Sequence, residues 1–378
     1  MASPPRSGVR RRLILRTVLA GLLGCAGAFG LDALLFRTKM YPQLLEPESS
    51  TGLFELVLRR EAKAQKQNGD NLVVTLGDSR FGYSPKLADE LTPQTGYVFR
   101  HAGLPGTDVR SWYYMLRDLD PTAHRYRAVV FGLNDYDDDD WGVPEDDIRA
   151  LHYAINRLRL SDAFEFARSF RTRALQWDAF RGSVLKGLVY QRDILEFLSH
   201  PLKRIQTVRL YNEGYATWTW NYEETPRSLV GLRIDWSTRT AVFPPGADQN
   251  QIETVKDFLL HPVGPQTGDL AEHRRRWFGK IIERYRDSPT KIVFLRLARG
   301  PIPRPGNLVV KKSSSIREFA RRPNVLLVPE HAFDSLERPE LFMDALHLNR
   351  EGAARFSAML AEEMRGLLGP PAAREAAR

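Results

Sequence analysis

The sequence predicts an α/β protein with a parallel sheet, a large and mainly helical insertion, and an apolar N-terminal helix. Short β-branched and apolar runs at residues 72–76, 97–99 and 128–131 alternate with helical patterns, and this alternation is typical of a parallel sheet. The alternation stops after residue 135 and resumes near residue 270, which indicates the insertion. Residues 13–36 are almost entirely apolar, which indicates the N-terminal helix.

Composition and the distribution of charge argue against a nucleic-acid partner. The chain has 378 residues and a hydrophobic fraction of 43%, so it can form a sizeable core. Much of the net charge of +9 lies in five arginines near the N-terminus, Arg6, Arg10, Arg11, Arg12 and Arg16. The other basic residues are dispersed among acidic ones and form no nucleic-acid motif, so we expect no nucleic-acid partner.

The apolar segment Leu13–Phe36 predicts a single-pass membrane anchor. Its 24 residues would form a helix of about 36 Å, which exceeds a hydrocarbon core of about 30 Å. Arg16 and Asp32 lie near its ends, where we expect them to reach the interfaces. Because the arginine cluster precedes the segment, the positive-inside rule keeps residues 1–12 cytoplasmic and places the rest in the periplasm or at the cell surface.

Two alternatives involve processing of this segment. Residues 22–25, Leu-Leu-Gly-Cys, resemble a lipobox, which would make Cys25 the lipidated first residue of a lipoprotein, and residues 11–15 resemble a twin-arginine signal. The apolar character continues past Cys25 to Phe29, which favours an uncleaved anchor. Cys25 is the only cysteine, so the remaining chain has no disulfide and no thiolate metal site.

The first part of the domain follows strand, loop and helix in turn. Residues 37–69 are predicted as a linker followed by an amphipathic helix at 52–66. The strand at 72–76 ends at Gly77-Asp78-Ser79, and the next helix begins with Ser84 as N-cap and Pro85. The strand at 97–99 leads into the loop 101–108, where Asp108 or Thr107 can cap the helix 109–119.

The remaining chain divides into the insertion and a second run of α/β pattern. The insertion, residues 136–268, is predicted to contain helices at 146–158, 161–170 and 193–198, followed by an aromatic segment at 211–226. The α/β pattern then predicts helices at 270–285, 313–321 and 350–368, strands at 291–297 and 325–328, and a disordered tail at 369–378.

Polar residues that suit acyl transfer follow several of these strands. A serine attacks an acyl carbon only when a base removes its proton, a carboxylate orients that base, and donors await the oxyanion. Ser79 ends the first strand, and Asp344 and His347 are three residues apart. Asn134 offers a side-chain amide after the third strand. Gly106 offers a backbone N–H after the second, with Gly103 as an alternative.

Four motifs in chain order resemble those of the SGNH hydrolases, also called GDSL-type esterases: GDS at 77–79, PGTD at 105–108, GLND at 132–135 and DALH at 344–347. The resemblance implies a flavodoxin-like three-layer α/β/α sandwich built from residues 70–135 and 269–368. It implies that Ser79 is the nucleophile, His347 the general base and acid, and Asp344 the orienting carboxylate. The implied oxyanion hole consists of the Ser79 and Gly106 N–H groups and the Asn134 side chain. The implied reaction uses no metal and no organic cofactor.

Three features depart from the family pattern. Arg80 follows the serine where many members have an apolar residue, and His101 stands where the second block often has asparagine. The insertion at 136–268 is also long for the family. These departures remove no catalytic group, but they prevent a direct transfer of substrate from relatives.

The function that we expect is a membrane-anchored, extracytoplasmic serine esterase. Its location favours O-acyl groups of envelope glycans or lipids as substrate, with O-acetyl groups first. One alternative is a polysaccharide O-acetyltransferase with the same triad and a membrane acyl-donor partner. A second is a non-catalytic glycan-binding or scaffold protein of the same fold.

Three further features have a structural interpretation. The run Asp137–Asp140 is predicted as a solvated acidic loop, because consecutive carboxylates do not suit a regular calcium loop. His101 is predicted to be structural. The insertion begins directly after Asn134, so we expect a lid or substrate platform. The small core of the insertion is predicted to include four aromatic residues, Tyr215, Trp218, Trp220 and Tyr222.

Overall fold

The fold is built on one five-stranded parallel sheet. The structure, a computed structural model, describes residues 7–38, 40–65, 71–82, 85–138, 148–213, 229–260, 268–303 and 313–371. Its strands are β1 (Leu72–Leu76), β2 (Val98–His101), β3 (Ala128–Leu133), β4 (Arg233–Asp235), β5 (Thr240–Val242), β6 (Lys291–Arg296) and β7 (Val325–Leu327). The parallel sheet has the order β2-β1-β3-β6-β7, and β4 and β5 form a separate antiparallel hairpin. This order places β1 between the two strands that follow it in the chain.

The helices, in chain order, are α1 (Ser7–Asp32), α2 (Ser50–Gln65), α3 (Ser79–Gly82), α4 (Pro85–Thr95), α5 (Val109–Leu119), α6 (Ile148–Ile155), α7 (Ala163–Arg168), α8 (Arg173–Val184), α9 (Gln191–Ser199), α10 (Pro201–Asn212), α11 (Gln249–Thr254), α12 (Asp269–Arg284), α13 (Ser315–Phe319) and α14 (Arg350–Leu368). Shorter 3₁₀ and π turns connect several of them.

Helices cover both faces of the sheet. Successive side chains of a strand point to opposite faces, so Val74 and Phe131 belong to one core and Val73 and Val130 to another. Helices α2, α5 and α12 pack on the first core, and α4 and α14 pack on the second. Burial of each large apolar side chain contributes about 1.5–3 kcal/mol, so both faces stabilise the sheet. The predicted α/β fold with a parallel sheet is confirmed.

The predicted and observed bounds of helices and strands agree best where the hydrophobic pattern of the sequence is strongest. β1 and α14 have the predicted bounds, while β3 extends to Leu133 and β2 covers 98–101. Asp108 caps α5 by accepting the Ser111 N–H at 3.0 Å. In the insertion, α8, α10, α11 and the β4–β5 hairpin were not predicted. In α10, the buried Arg204 interrupts the apolar stripe. The predicted N-cap Ser84 and the aromatic residues at 215–222 lie outside the described residues.

The N-terminal helix is long and apolar enough to cross a membrane. The stretch Ile14–Arg37 has 24 residues, and it consists of most of α1 and a π-helical turn, Ala33–Arg37. One expectation about it is wrong. Asp32 does not project toward an interface but is buried, because its carboxylate accepts the backbone N–H groups of Lys186 and Gly187 at 3.1 and 2.6 Å.

Candidate active site

The turn that carries Ser79 is fixed by the packing of Phe81 against Gly77 and Gly132. β1 ends at Leu76, and the single helical turn α3 begins at Ser79. The Phe81 ring packs so closely on the neighbouring strand ends that a Cβ at Gly77 or Gly132 would approach its atoms to 2.6 or 2.5 Å. Side chains at these positions would displace Phe81. Glycine in the GDS and GLND motifs therefore fixes the position of the serine.

Ser79, His347 and Asp344 form one chain of hydrogen bonds. The Ser79 Oγ lies 3.0 Å from His347 Nε2, and His347 Nδ1 lies 2.8 Å from Asp344 Oδ2. The second oxygen, Asp344 Oδ1, accepts the backbone N–H groups of Leu346 and His347, both at 2.8 Å. These distances lie within reach for proton transfer from serine to imidazole. The three predicted residues are thus brought together although His347 is 268 positions from Ser79.

The environment of Asp344 keeps its carboxyl group ionised. Burial acts to raise the pKa of Asp344, but the hydrogen bond and charge of His347 and the two backbone N–H groups outweigh it and lower the pKa below its usual value. An ionised carboxylate beside Nδ1 holds the proton of the imidazole on that nitrogen. Nε2 is then free to accept the proton of the Ser79 hydroxyl.

The loop after β2 is tied to the turn before Ser79. The Leu104 N–H donates to the Gly77 carbonyl at 3.1 Å, and the Thr107 hydroxyl, which is 3.3 Å from that carbonyl, donates to the Leu104 carbonyl at 2.7 Å. Gly106 lies in this loop with a φ of +65°, which favours glycine. Gly103 has a packing role instead, because a Cβ there would lie 2.6 Å from His101 Cε1.

The predicted oxyanion donors follow the strands on either side of β1. Gly106 comes after β2 and Asn134 directly after β3, and both strands pair with β1 in parallel. Ser79 is the first residue of α3, so its N–H has no acceptor within the helix. Within the described ranges, neither the Ser79 and Gly106 N–H groups nor the Asn134 amide donates a hydrogen bond to the protein. No described residue therefore occupies these donors, as the oxyanion assignment requires.

Asn134→Ala tests the oxyanion assignment. An oxyanion donor acts mainly in the transition state, so we expect kcat for an ester to fall by about 10² to 10³ with little change in KM. Steady-state kinetics on p-nitrophenyl acetate measure both constants. An effect confined to KM would instead make Asn134 a substrate-binding residue.

The last helical part of the insertion supports the loop of Asp344 and His347. Gln251 on α11 donates through Nε2 to the Met343 carbonyl at 2.9 Å, and the Thr254 hydroxyl accepts the Ala345 N–H at 3.4 Å. Ala345 is fully buried in a small core that also contains Leu259. No sequence pattern indicated these residues, because the contacts join segments that are 91 and 92 positions apart.

Gln251→Ala should lower kcat by about tenfold, because loss of its contact lets the loop of Asp344 and His347 shift and misaligns the imidazole. KM should change little. Gln249→Ala is the matched control, since Gln249 lies on the same helix but is exposed and bonds only to Glu253 among described residues. Equal kinetics of the two variants would argue against a positioning role.

Two arginines lie near the site, and only one was singled out from the sequence. The Arg80 guanidinium pairs with Asp78 at 2.7 Å and is largely buried, so its charge is balanced. Arg149 at the start of α6 lies so near Gly106 that a Cβ there would be 2.9 Å from its Nη1. The insertion thus brings a cation to the Gly106 loop.

The acidic run after the GLND motif is partly buried, which contradicts the predicted solvated loop. Asp137 and Asp138 are each 7% exposed. Asp137 pairs with Arg317 at 2.6 Å, and Asp138 accepts the Ser315 N–H at 2.8 Å. Local composition showed the charges but not these distant partners. Asp139 and Asp140 lie outside the described residues.

His101 has the predicted structural role. It is 4% exposed, its Nδ1 lies 2.8 Å from the Thr75 Oγ1 on β1, and its ring makes an edge contact with Phe81. In the part of the chain that the structure describes, no group of three or more His, Cys, Asp or Glu residues could hold a metal ion.

The chain was also compared with known proteins. Neither a scan of protein-family models nor a search of curated proteins found a match to the chain.

Proposed function

We propose that the chain is a serine esterase of the SGNH type, held at a membrane by its N-terminal helix. The observation that carries the proposal is the hydrogen-bonded chain of Ser79, His347 and Asp344, with distances of 3.0 and 2.8 Å between the reacting groups. A nucleophile, a base and an orienting carboxylate in this geometry are the requirements for acyl transfer. The four motifs that resemble the SGNH hydrolases support the same assignment.

In the proposed reaction, the Ser79 Oγ attacks the carbonyl carbon of an ester while His347 Nε2 takes the hydroxyl proton. The Ser79 and Gly106 N–H groups and the Asn134 amide donate to the oxyanion. The intermediate collapses when His347 returns the proton to the leaving alcohol oxygen, which leaves an acyl group on Ser79. Water then attacks this ester with His347 again as base, and a carboxylic acid is released.

The space beside Ser79 favours a short acyl group. A pocket of about 40 Å³ is lined by Ser79 and His347 and by apolar side chains that include Leu87, Leu348 and Phe356. The small volume and the apolar lining suit a short acyl group such as acetyl. Together with the extracytoplasmic location that the positive-inside rule predicts, this favours O-acetyl groups of envelope glycans or lipids.

The purified full chain should hydrolyse p-nitrophenyl acetate faster than p-nitrophenyl octanoate, because the longer acyl chain exceeds the pocket. Rapid mixing should give a burst of about one equivalent of p-nitrophenol per chain when deacylation is slow. Equal rates on the two esters would contradict the small acyl pocket. A folded chain that turns over neither ester would contradict the esterase assignment.

A further inference from the structure

Helices α9 and α10 in the insertion expose large apolar side chains. Leu195 and Leu198 on α9 are 65% and 67% exposed, and Leu202 and Ile205 on α10 are 81% and 49% exposed. Each pair is three residues apart, so its members lie on the same side of their helix. Soluble proteins scatter exposed leucines singly, whereas a concentration of this kind marks an interaction surface.

A second group of exposed apolar side chains, aromatic ones, lies on α7 and α8. Trp177 and Phe164 are 61% and 60% exposed. Both pack on Phe180, Trp177 in a stacked arrangement at 6.2 Å and Phe164 edge-on at 6.3 Å. Exposed tryptophan and phenylalanine are typical of segments that lie at a membrane–water interface.

The C-terminal end of the apolar N-terminal helix is fixed to these same helices. The Arg37 guanidinium donates through Nη2 to the Ser183 and Val184 carbonyls at the end of α8, both at 2.9 Å. The Asp32 carboxylate accepts the N–H groups of the two residues that follow Leu185. The helix therefore does not end in a free linker but is clamped to the insertion.

Further contacts connect this end of the helix to the inner side of α9. The buried Phe36 stacks on Tyr190 at 5.3 Å, just before α9 begins. The Tyr41 hydroxyl donates to Asp193 on α9 at 2.8 Å. Leu195 lies two residues beyond Asp193, so the exposed leucines are on the outer side of α9, opposite the side that contacts Tyr41.

The charge of this segment suits a membrane surface. Residues 161–213 contain nine lysines and arginines and six aspartates and glutamates. Arg173, Arg192 and Lys203 are exposed beside the apolar side chains. Basic residues next to a buried apolar face strengthen the binding of a helix to anionic headgroups.

We propose that α9, α10 and the aromatic group of α7 and α8 lie in the headgroup region of the bilayer beside the N-terminal helix. The occupant of this apolar surface is lipid, because α8 and α9 are bonded to the residues at the end of the helix that enters the bilayer. The catalytic domain is then held in one orientation, with Ser79 at a fixed height above the membrane. The inference rests on the membrane anchor of the proposed function but not on the esterase activity.

A fluorescence experiment on the full chain in lipid nanodiscs tests the proposal. Cys25 is the only cysteine and is exposed on the N-terminal helix, so an environment-sensitive fluorophore on it reports whether that helix is inserted. Two Cys25→Ser variants with Leu198→Cys or Leu202→Cys place the fluorophore on the proposed surface. The matched control is Cys25→Ser with Glu362→Cys, since Glu362 is exposed on α14 at the other face of the sheet.

Quenching by nitroxide-bearing lipids and by aqueous iodide separates the outcomes. We expect the labels at 198 and 202 to lose fluorescence to lipid nitroxides and to resist iodide, while the label at 362 does the reverse. If the Cys25 label is quenched by lipid but those at 198 and 202 behave like 362, the surface does not contact lipid and the proposal fails while the anchor stands. Failure of lipid to quench Cys25 would overturn the anchor and this proposal together. The labels at 198 and 202 could instead resist iodide only in native membranes, without quenching by lipid. A protein partner would then cover the surface, and the proposal of a lipid contact would fail.

Discussion

Ser79→Ala is expected to lower kcat for p-nitrophenyl acetate by about 10⁶-fold, since loss of the nucleophile removes the covalent route. In the proposed reaction the Ser79 Oγ receives the acyl group, and this atom lies 3.0 Å from His347 Nε2. The substitution deletes one oxygen atom from a half-buried position, so the fold should be unaffected. Steady-state kinetics and a thermal unfolding curve measure the two effects separately.

The control for this variant is Ser237→Ala. Ser237 is exposed beyond β4, where its hydroxyl bonds to Asp235 at 2.6 Å. We expect wild-type kinetics from it. Substantial turnover by Ser79→Ala at an unchanged melting temperature would mean that a different group attacks the ester.

Asp344→Asn should lower kcat by about 10⁴-fold while leaving the fold intact. The asparagine oxygen can still accept the N–H groups of Leu346 and His347 that Asp344 Oδ1 accepts at 2.8 Å. The NH₂ group then faces His347 Nδ1 and requires that nitrogen to accept a hydrogen bond. The imidazole proton is forced onto Nε2, which can no longer take the proton of Ser79.

A second His–Asp pair provides the matched control. His331 and Asp334 are also three residues apart, with Nδ1 and Oδ2 separated by 2.8 Å, but the pair is exposed. Asp334 also pairs with the buried Arg296, so a melting curve of the control variant is recorded as well. Asp334→Asn should leave turnover unchanged. If both asparagine variants lose activity equally, the effect of Asp344→Asn is one of stability rather than of the imidazole tautomer.

The sequence was sufficient for the parts of the structure that depend on local pattern. The apolar run of β1 and the capped amphipathic helix α14 were predicted with their observed bounds. Asp344 and His347 are neighbours in the chain, so their contact is also local. The contact of Ser79 with His347 was implied by the resemblance to the SGNH hydrolases and not by strand geometry, because β7 ends at Leu327 and no strand leads directly into His347.

Contacts between distant segments could not be predicted in this way. Gln251 supports the loop of His347, and Arg149 reaches Gly106, but neither residue stands in a motif. Asp32 has the sequence position of an interfacial charge, yet it is buried because Lys186 and Gly187 supply its N–H partners. Such contacts depend on how the insertion packs against the rest of the chain, and the local periodicity of the sequence does not indicate that packing.

Reaction with a fluorophosphonate tests the esterase assignment most directly. The reagent phosphonylates only a serine that a neighbouring base activates, so the full chain should gain the mass of one adduct. Peptide mapping should place that adduct on Ser79, and His347→Ala should abolish it while the protein stays folded. A folded wild-type chain that gains no adduct, or that carries it on another serine, would contradict the assignment of Ser79 as nucleophile.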